Sequence, residues 1–411
     1  MKMSSGLRGI RTVREFEFKD KVVFLRLDLN APMKNGKITD ETRLRASLPT
    51  IQYIQEKGGK IVMASHLGRP KSANDKEFSL EPIAQRLSEM LEAEVILAED
   101  PQAEAIKGLT LTLKKNQMIL LENLRYEPGE TKNSIELAQV LASFTQIYIN
   151  DAFGASHRAH ASIQAFPELM KEKGIGFLIE KEIQMLDQLL ENPKRPYIAI
   201  LGGAKISDKI PVIEKLIDIV DGFVIGGAMA YTFLKAQETP VGKSLVEEDR
   251  VKYCREMIER IQARNKTLLL PVDHVISTGI RDGASAKTTL NTIITEGWMG
   301  VDIGPVTLKN FSTLLKEAGT IFWNGPMGVF ETPEFSKGTF GVAKAVAECK
   351  GLKIVGGGDS AAAAEASGYA SQMSHISTGG GASLEYLQGV KLPGLEVLRR
   401  AKTSEKMENK T

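Results

Sequence analysis

KIVGGGDSAAAA, residues 353–364, runs from a short apolar segment through three glycines into a string of alanines. The apolar part reads as the end of a buried strand. The glycines supply a tight turn, and Ala361 to Ala364 with Glu365 favour a helix. The same order recurs at IAILGGAK (198–205), GFVIGGAMA (222–230) and HISTGGGASLEY (375–386). Repeated strand–glycine–helix units predict an α/β fold with a parallel sheet and ligand loops at the carboxyl ends of its strands. Free N–H groups at such helix starts bind phosphate.

Glycine is unevenly spread: of 37 in the chain, 11 fall in residues 1–197 and 26 in residues 198–411. The first half keeps the α/β alternation with other punctuation. KVVFLRLDLN (21–30), KIVMASH (60–66), QMILLENLRY (117–126) and QIYINDAFG (146–154) each begin as a strand and end in polar residues. Helical patterns lie between, near 42–57 (Leu44, Leu48, Ile51, Ile54) and 80–92. At these strand ends stand Asp28, Asn30, His66, Arg69, Arg125 and Asp151, with Arg158 soon after. Guanidinium groups bind carboxylates and phosphates bidentately, whereas glycine loops suit a polyphosphate. IEKEIQMLDQLLENPKRP (179–196) has Ile183, Leu186 and Leu190 on one stripe before Pro193 and Pro196, so it reads as a helix joining two halves. The expected fold is two Rossmann-like parallel-sheet domains, 1–178 and 197–411, the second with a C-terminal tail that can pack back on the first, joined by the central helix and hinge 179–196, with an interdomain cleft that closes over two substrates.

Composition narrows the function. At 411 residues, with 42% hydrophobic and 25% charged residues, the chain has the make-up of a soluble two-domain protein. Its net charge of +2 argues against holding nucleic acid or an anionic membrane by bulk charge. Cys254 and Cys349 form no CxxC pair, no signal-like apolar run opens the chain, and no run of 18 apolar residues occurs. A cytoplasmic location is expected. VGKSL (241–245) lacks the first glycine of a phosphate loop, since Gln237 stands there. The HRAH run (157–160) has no carboxylate at zinc-ligand spacing and reads as structural or surface.

RLDLNAP (26–32), TRLRASLPTI (42–51), SHLGRPK (65–71), LLENLRYEPGE (120–130), NDAFGASHRAHAS (150–162), GGAKISDKI (202–210), WNGPMGVFE (323–331), GGGDSAAA (356–363) and HISTGGGASLEYL (375–387) together resemble the phosphoglycerate kinase family. The blocks keep the family's order over most of the chain. The resemblance implies an N-terminal domain for 3-phosphoglycerate or 1,3-bisphosphoglycerate, a C-terminal domain for Mg-ADP or Mg-ATP, and a glycolytic enzyme that is usually monomeric.

The resemblance assigns substrate binding to Asp28, Asn30, Arg43, His66, Arg69, Arg125 and Arg158, with His66 and Arg69 on one tight turn. Arg43 is favoured over Arg45, which is expected to face solvent or a structural partner. Catalysis of phosphoryl transfer is mainly positioning and charge stabilisation. The resemblance nominates Arg43, Lys205 and the backbone around Gly380 and Gly381 for that work. Lys209 is expected one helical turn beyond Lys205, facing the same polyphosphate. Gly203, Ala204, Gly227, Asn324, Gly357, Gly358 and Ser360 are expected at the nucleotide, Glu331 at its ribose, and Asp359 as the Mg²⁺ ligand. Ala228 stands where many relatives have a third glycine. The alternative is a catalytically dead scaffold; against it, every charged position named here is present.

Overall fold

The computed structural model describes residues 4–99, 104–280 and 285–400. They divide into two compact units, residues up to 184 together with 391–400, and residues 185–390. The division falls inside a helix, Phe177–Leu190. Its buried stripe is Ile179, Ile183, Leu186 and Leu189, with Leu190 only half-buried.

In the first unit, six parallel strands lie in the order Glu94–Ala98, Gln117–Leu121, Lys60–Ala64, Val22–Leu27, Ile147–Asp151 and Lys173–Ile175. Val22–Leu27 is first in sequence yet central in space, so connections leave it in opposite directions. A crevice forms at such a switch, at the carboxyl ends of the strands. The strands read as near-continuous apolar runs because both faces are covered. Val23, Phe24, Leu25 and Leu27 are fully buried. The helix Thr42–Glu56 buries Leu44, Ile51 and Ile54 against this sheet, which places Arg43 in its first turn. The segment 391–400 also belongs here: Gly394 N donates to Ser156 O at 2.9 Å, and Arg400 N to Gly9 O at 2.8 Å.

The second unit holds another six-stranded parallel sheet, ordered Thr267–Leu269, Gly222–Ile225, Tyr197–Leu201, Thr320–Asn324, Leu352–Val355 and His375–Ile376. Numbered along the chain this is 3-2-1-4-5-6, the doubly wound order, with its switch between Tyr197–Leu201 and Thr320–Asn324. Three glycine units behave as read from the sequence. Gly222–Ile225 leads to helix Met229–Ala236, Leu352–Val355 to Gly358–Ala366, and His375–Ile376 to Gly381–Gln388. After Tyr197–Leu201 the helix waits until Ile210. The sequence reading did not anticipate a three-stranded antiparallel sheet, Ala286–Thr288, His274–Ser277 and Met299–Ile303.

Candidate active site

The carboxyl ends of the first sheet gather the basic residues. Asn30 Oδ1 accepts from Gly68 N at 2.8 Å, and Asn123 Oδ1 accepts from Leu67 N at 3.2 Å. These bonds pin the turn of SHLGRP, where Gly68 has φ +57. Arg125 donates Nη1 to Gly68 O from the neighbouring strand end. A cavity of about 830 Å³ opens beside this turn, and Arg69, Lys71, Arg125, Lys132, Arg158 and His160 supply its polar wall. Glu127 is the one acid lining it.

The crowding of cations shows in their titration. Burial, then Arg158, Arg26 and Arg69, push the Arg125 guanidinium down to about 10. Its Nε is buried without a hydrogen-bond partner. Burial, then Arg26, Arg125 and Arg158, bring His160 down to about 4. His66 is buried and also held well below its ordinary value, by burial first and then by Arg26, Arg125 and Arg158, with Asp28 pulling the other way. All of these would be relieved by an anion in the cavity.

Not every substrate residue named from the sequence lines this cavity. Arg69, Arg125 and Arg158 do. Asp28 is ion-paired with Arg43. Burial would raise the Asp28 carboxyl, but Arg43, His66 and Arg26 outweigh it and hold it below its ordinary range. Arg45, two positions on, pairs with Glu41 at 2.6 Å. Asn30 braces the turn through its Oδ1. Two residues were missed. Arg26, a charge inside a buried strand, packs against His66 from behind. His160 belongs to the HRAH run read as structural or surface, yet it lines the cavity.

In the second unit the loops after the central strands touch backbone to backbone. Gly203 N donates to Pro326 O at 3.0 Å, Gly227 N to Met327 O at 3.0 Å, and Met229 N to Gly203 O at 3.1 Å. A Cβ at Gly202 would lie 2.1 Å from Pro326 O. At Gly227, whose φ is +65, it would lie 2.4 Å from Gly203 N and 2.6 Å from Gly203 O. Only hydrogen side chains permit this seam. Above it lies a cavity of about 310 Å³, lined among others by Gly203, Ala204, Gly227, Ala228, Glu331 and Asp359. Tyr231, Gly300 and Val329 also contribute to its wall. Gly300 comes from the antiparallel sheet that sequence reading missed.

Beside the seam, Lys209 donates Nζ to Asn324 Oδ1, and Asn324 Nδ2 donates to Gly356 O at 2.6 Å. Burial lowers the Lys209 ammonium from its ordinary value, while Asp208 and Asp359 oppose that. Asn324 is buried and so positions Lys209. Ser360, expected to touch phosphate, is also buried, and its Oγ accepts from Gly325 N at 2.5 Å. Lys205 and Lys209 do not share a helical face. Pro211 fixes the start of helix Ile210–Leu216, Lys209 caps it, and Lys205 lies exposed in the preceding loop. Gly357 caps helix Gly358–Ala366, and Gly380, with φ +52, caps helix Gly381–Gln388. None of Lys205, Gly357, Gly358, Gly380 and Gly381 lines the 310 Å³ cavity.

Asp359 is exposed, stands in the first turn of its helix, and lines the cavity. Among the described residues no group of three or more His, Cys, Asp or Glu is placed to hold a metal. A lone carboxylate fits Mg²⁺ that arrives on nucleotide phosphates, since that ion takes one or two carboxylates plus phosphate oxygens and waters. It does not fit a resident metal centre.

Two doubly wound units, one with a guanidinium-rich cavity and one with a cavity floored by peptide backbone, place the chain in the α/β class that takes anionic ligands at the carboxyl ends of its strands. Comparison with known proteins narrows the class. The phosphoglycerate kinase family model matches residues 13–390. A phosphoglycerate kinase of Bdellovibrio bacteriovorus is 70% identical over 397 residues, 97% of this chain and 99% of that protein. One from an Anaeromyxobacter species is 50% identical, covering 95% of this chain and 99% of its own length. The solved phosphoglycerate kinase of Coxiella burnetii superimposes with a TM-score of 0.85 at 40% identity, covering 95% of this chain and 98% of its own. The chain belongs to the phosphoglycerate kinase family, kinases that use a carboxyl group as phosphoryl acceptor.

Proposed function

We propose that the protein transfers a phosphoryl group reversibly from 1,3-bisphosphoglycerate to ADP, giving 3-phosphoglycerate and ATP. The observation that carries this reading is Arg125. It is a half-buried guanidinium that meets Arg69 and Arg158 on the wall of one cavity, with its Nε left without an acceptor. Such a cluster is suited to a small acid bearing two anionic groups. Arg69, Arg125 and Arg158 take the 3-phosphate end. Arg43, oriented by Asp28, serves the carboxyl end.

In the direction of ATP use, a carboxylate oxygen of 3-phosphoglycerate attacks the γ-phosphorus. The bond to the β-phosphate oxygen breaks, and ADP leaves with the electron pair. The attacking carboxylate is already ionised at pH 7, its pKa being roughly 3.5, so no general base is needed. His66, held well below its ordinary value, is a neutral donor in this scheme. Arg43, Lys205, Lys209 and the backbone at Gly380 and Gly381 offset charge on the equatorial oxygens. Asp359 holds the nucleotide's Mg²⁺, which supplies charge neutralisation at the phosphates. Gly203, Gly227 and Ala228 floor the base and sugar region, with Glu331 at the ribose. In this reading the protein works, as the family resemblance implies, as a cytoplasmic monomer. No helix among the described residues is long and apolar enough to cross a membrane.

A coupled assay with 3-phosphoglycerate, Mg-ATP and a reductive trap for the acyl phosphate tests the reading. Saturable turnover that vanishes when glycerate replaces 3-phosphoglycerate is expected. Equal turnover with glycerate would overturn the assignment of the arginine cavity. The scaffold alternative has no support, since the curated relatives matching nearly the whole chain are named as the enzyme.

A further inference from the structure

Arg26 is wholly buried, and all three of its nitrogens meet a polar partner. Nε donates to Ser162 Oγ at 2.8 Å, and Nη1 donates to Leu27 O. Nη2 lies 3.3 Å from His66 Nδ1. The network behind it is closed. Ser162 Oγ donates to Glu130 Oε1 at 2.6 Å, and Ser162 N donates to Glu130 Oε2 at 2.9 Å. Glu130 Oε1 stands 3.9 Å from Arg26 Nη2, so the buried cation has a buried counter-ion.

A guanidinium can only donate. Nδ1 of His66 must therefore accept, and the ring proton sits on Nε2. Among the described residues no group hydrogen-bonds Nε2, which leaves that N–H for a ligand. Protonating Nδ1 would set its N–H against Arg26. The charges that reach the ring are Asp28 and Arg26 from the central strand and its end, Arg125 beyond the strand Gln117–Leu121, and Arg158 beyond Ile147–Asp151. Three of the four are cations.

We infer that Arg26 is a positioning residue: its bond to Nδ1 fixes His66 as the neutral Nε2–H tautomer, so that His66 gives the anionic substrate a hydrogen bond and takes no part in proton transfer. This deepens the assignment of the first unit to a doubly anionic sugar acid and rests on it.

Nitrogen-15 NMR of the wild-type protein reads the tautomer without reference to turnover. A pyridine-type Nδ1 and a pyrrole-type Nε2 on His66 at pH 7 are expected. A protonated Nδ1, whether neutral tautomer or imidazolium, would overturn the inference. The second arm is Arg26→Met combined with Glu130→Gln, which removes the donor without stranding a buried carboxylate. In this variant the Nδ1–H tautomer of His66 is expected to be populated at pH 7, and the ring to titrate higher than in the wild type while burial, Arg125 and Arg158 still hold it down. KM for 3-phosphoglycerate should rise roughly 10- to 100-fold at pH 8, the scale of a lost hydrogen bond to a charged group, and recover as acid charges the ring, with kcat little changed. A folded double variant with the wild-type tautomer and a flat KM profile would refute the role of Arg26. A wild-type protein with the expected tautomer but no kinase activity would instead count against the functional reading.

Discussion

Gly227→Ala puts a methyl group into the seam between the nucleotide loops. The added Cβ would lie 2.4 Å from Gly203 N, 2.6 Å from Gly203 O and 2.9 Å from Pro326 O. All three are backbone atoms, so no side-chain rotation relieves the overlap. The φ of +65 adds the left-handed penalty, about 1–2 kcal/mol for a residue with a Cβ. Displacing packed backbone adds about 1–3 kcal/mol. The total of about 2–5 kcal/mol corresponds to a Tm lower by roughly 5–15 °C for a unit near 200 residues. Because Gly203 and Gly227 both line the cavity proposed for the nucleotide, the affinity for Mg-ADP should fall at least about tenfold, the equivalent of 1.4 kcal/mol. Binding of 3-phosphoglycerate should be unchanged. Gly358→Ala is the control: its Cβ would meet nothing within 4 Å and the position is helical, so Tm should hold or rise slightly. Differential scanning calorimetry and isothermal titration of both variants check this. A Gly227→Ala protein with wild-type Tm and Mg-ADP affinity would refute the steric reasoning.

Arg43→Ala should lower kcat at least about 100-fold, the scale of losing a donor to transition-state charge; steady-state kinetics near wild type would remove Arg43 from that role. His160 has a folded-state value of about 4 against an ordinary 6.5. Between those values the unfolded chain binds the proton and the folded one does not, so its contribution to stability is lost as pH falls from about 6.5 to about 4. His160→Asn should flatten that part of the stability profile in urea titrations; an unaltered slope would show that His160 does not titrate this way.

What the sequence disclosed is what local chemistry dictates. KIVGGGDSAAAA shows a strand, a turn and a helix within twelve residues, and the structure builds those elements there. Arg125 was legible because a polar residue just past an apolar run sits at the sheet's rim, whereas Arg158, seven positions beyond Asp151, rested on the match of its sequence block as well. Positions that depend on distant partners were not legible. Ser360 and Asn324 turn inward to Gly325 and Gly356, which no spacing foretells. Lys205 and Lys209 were expected on one helical face, but Pro211 delays the helix. The antiparallel sheet that carries Gly300 consists of strands of three to five residues, too short for a clear alternation. Arg26 interrupts an apolar strand, and its buried partners lie at Glu130 and Ser162, more than a hundred positions away.

The central claim is a division of labour: guanidinium groups of the first unit hold the sugar acid, and peptide backbone of the second holds the nucleotide. Isothermal titration of Arg158→Gln with each ligand separately tests it most directly. The account predicts a Kd for 3-phosphoglycerate raised at least about tenfold, with Mg-ADP binding within about twofold of wild type. Equal weakening of both ligands, or of neither, would contradict it.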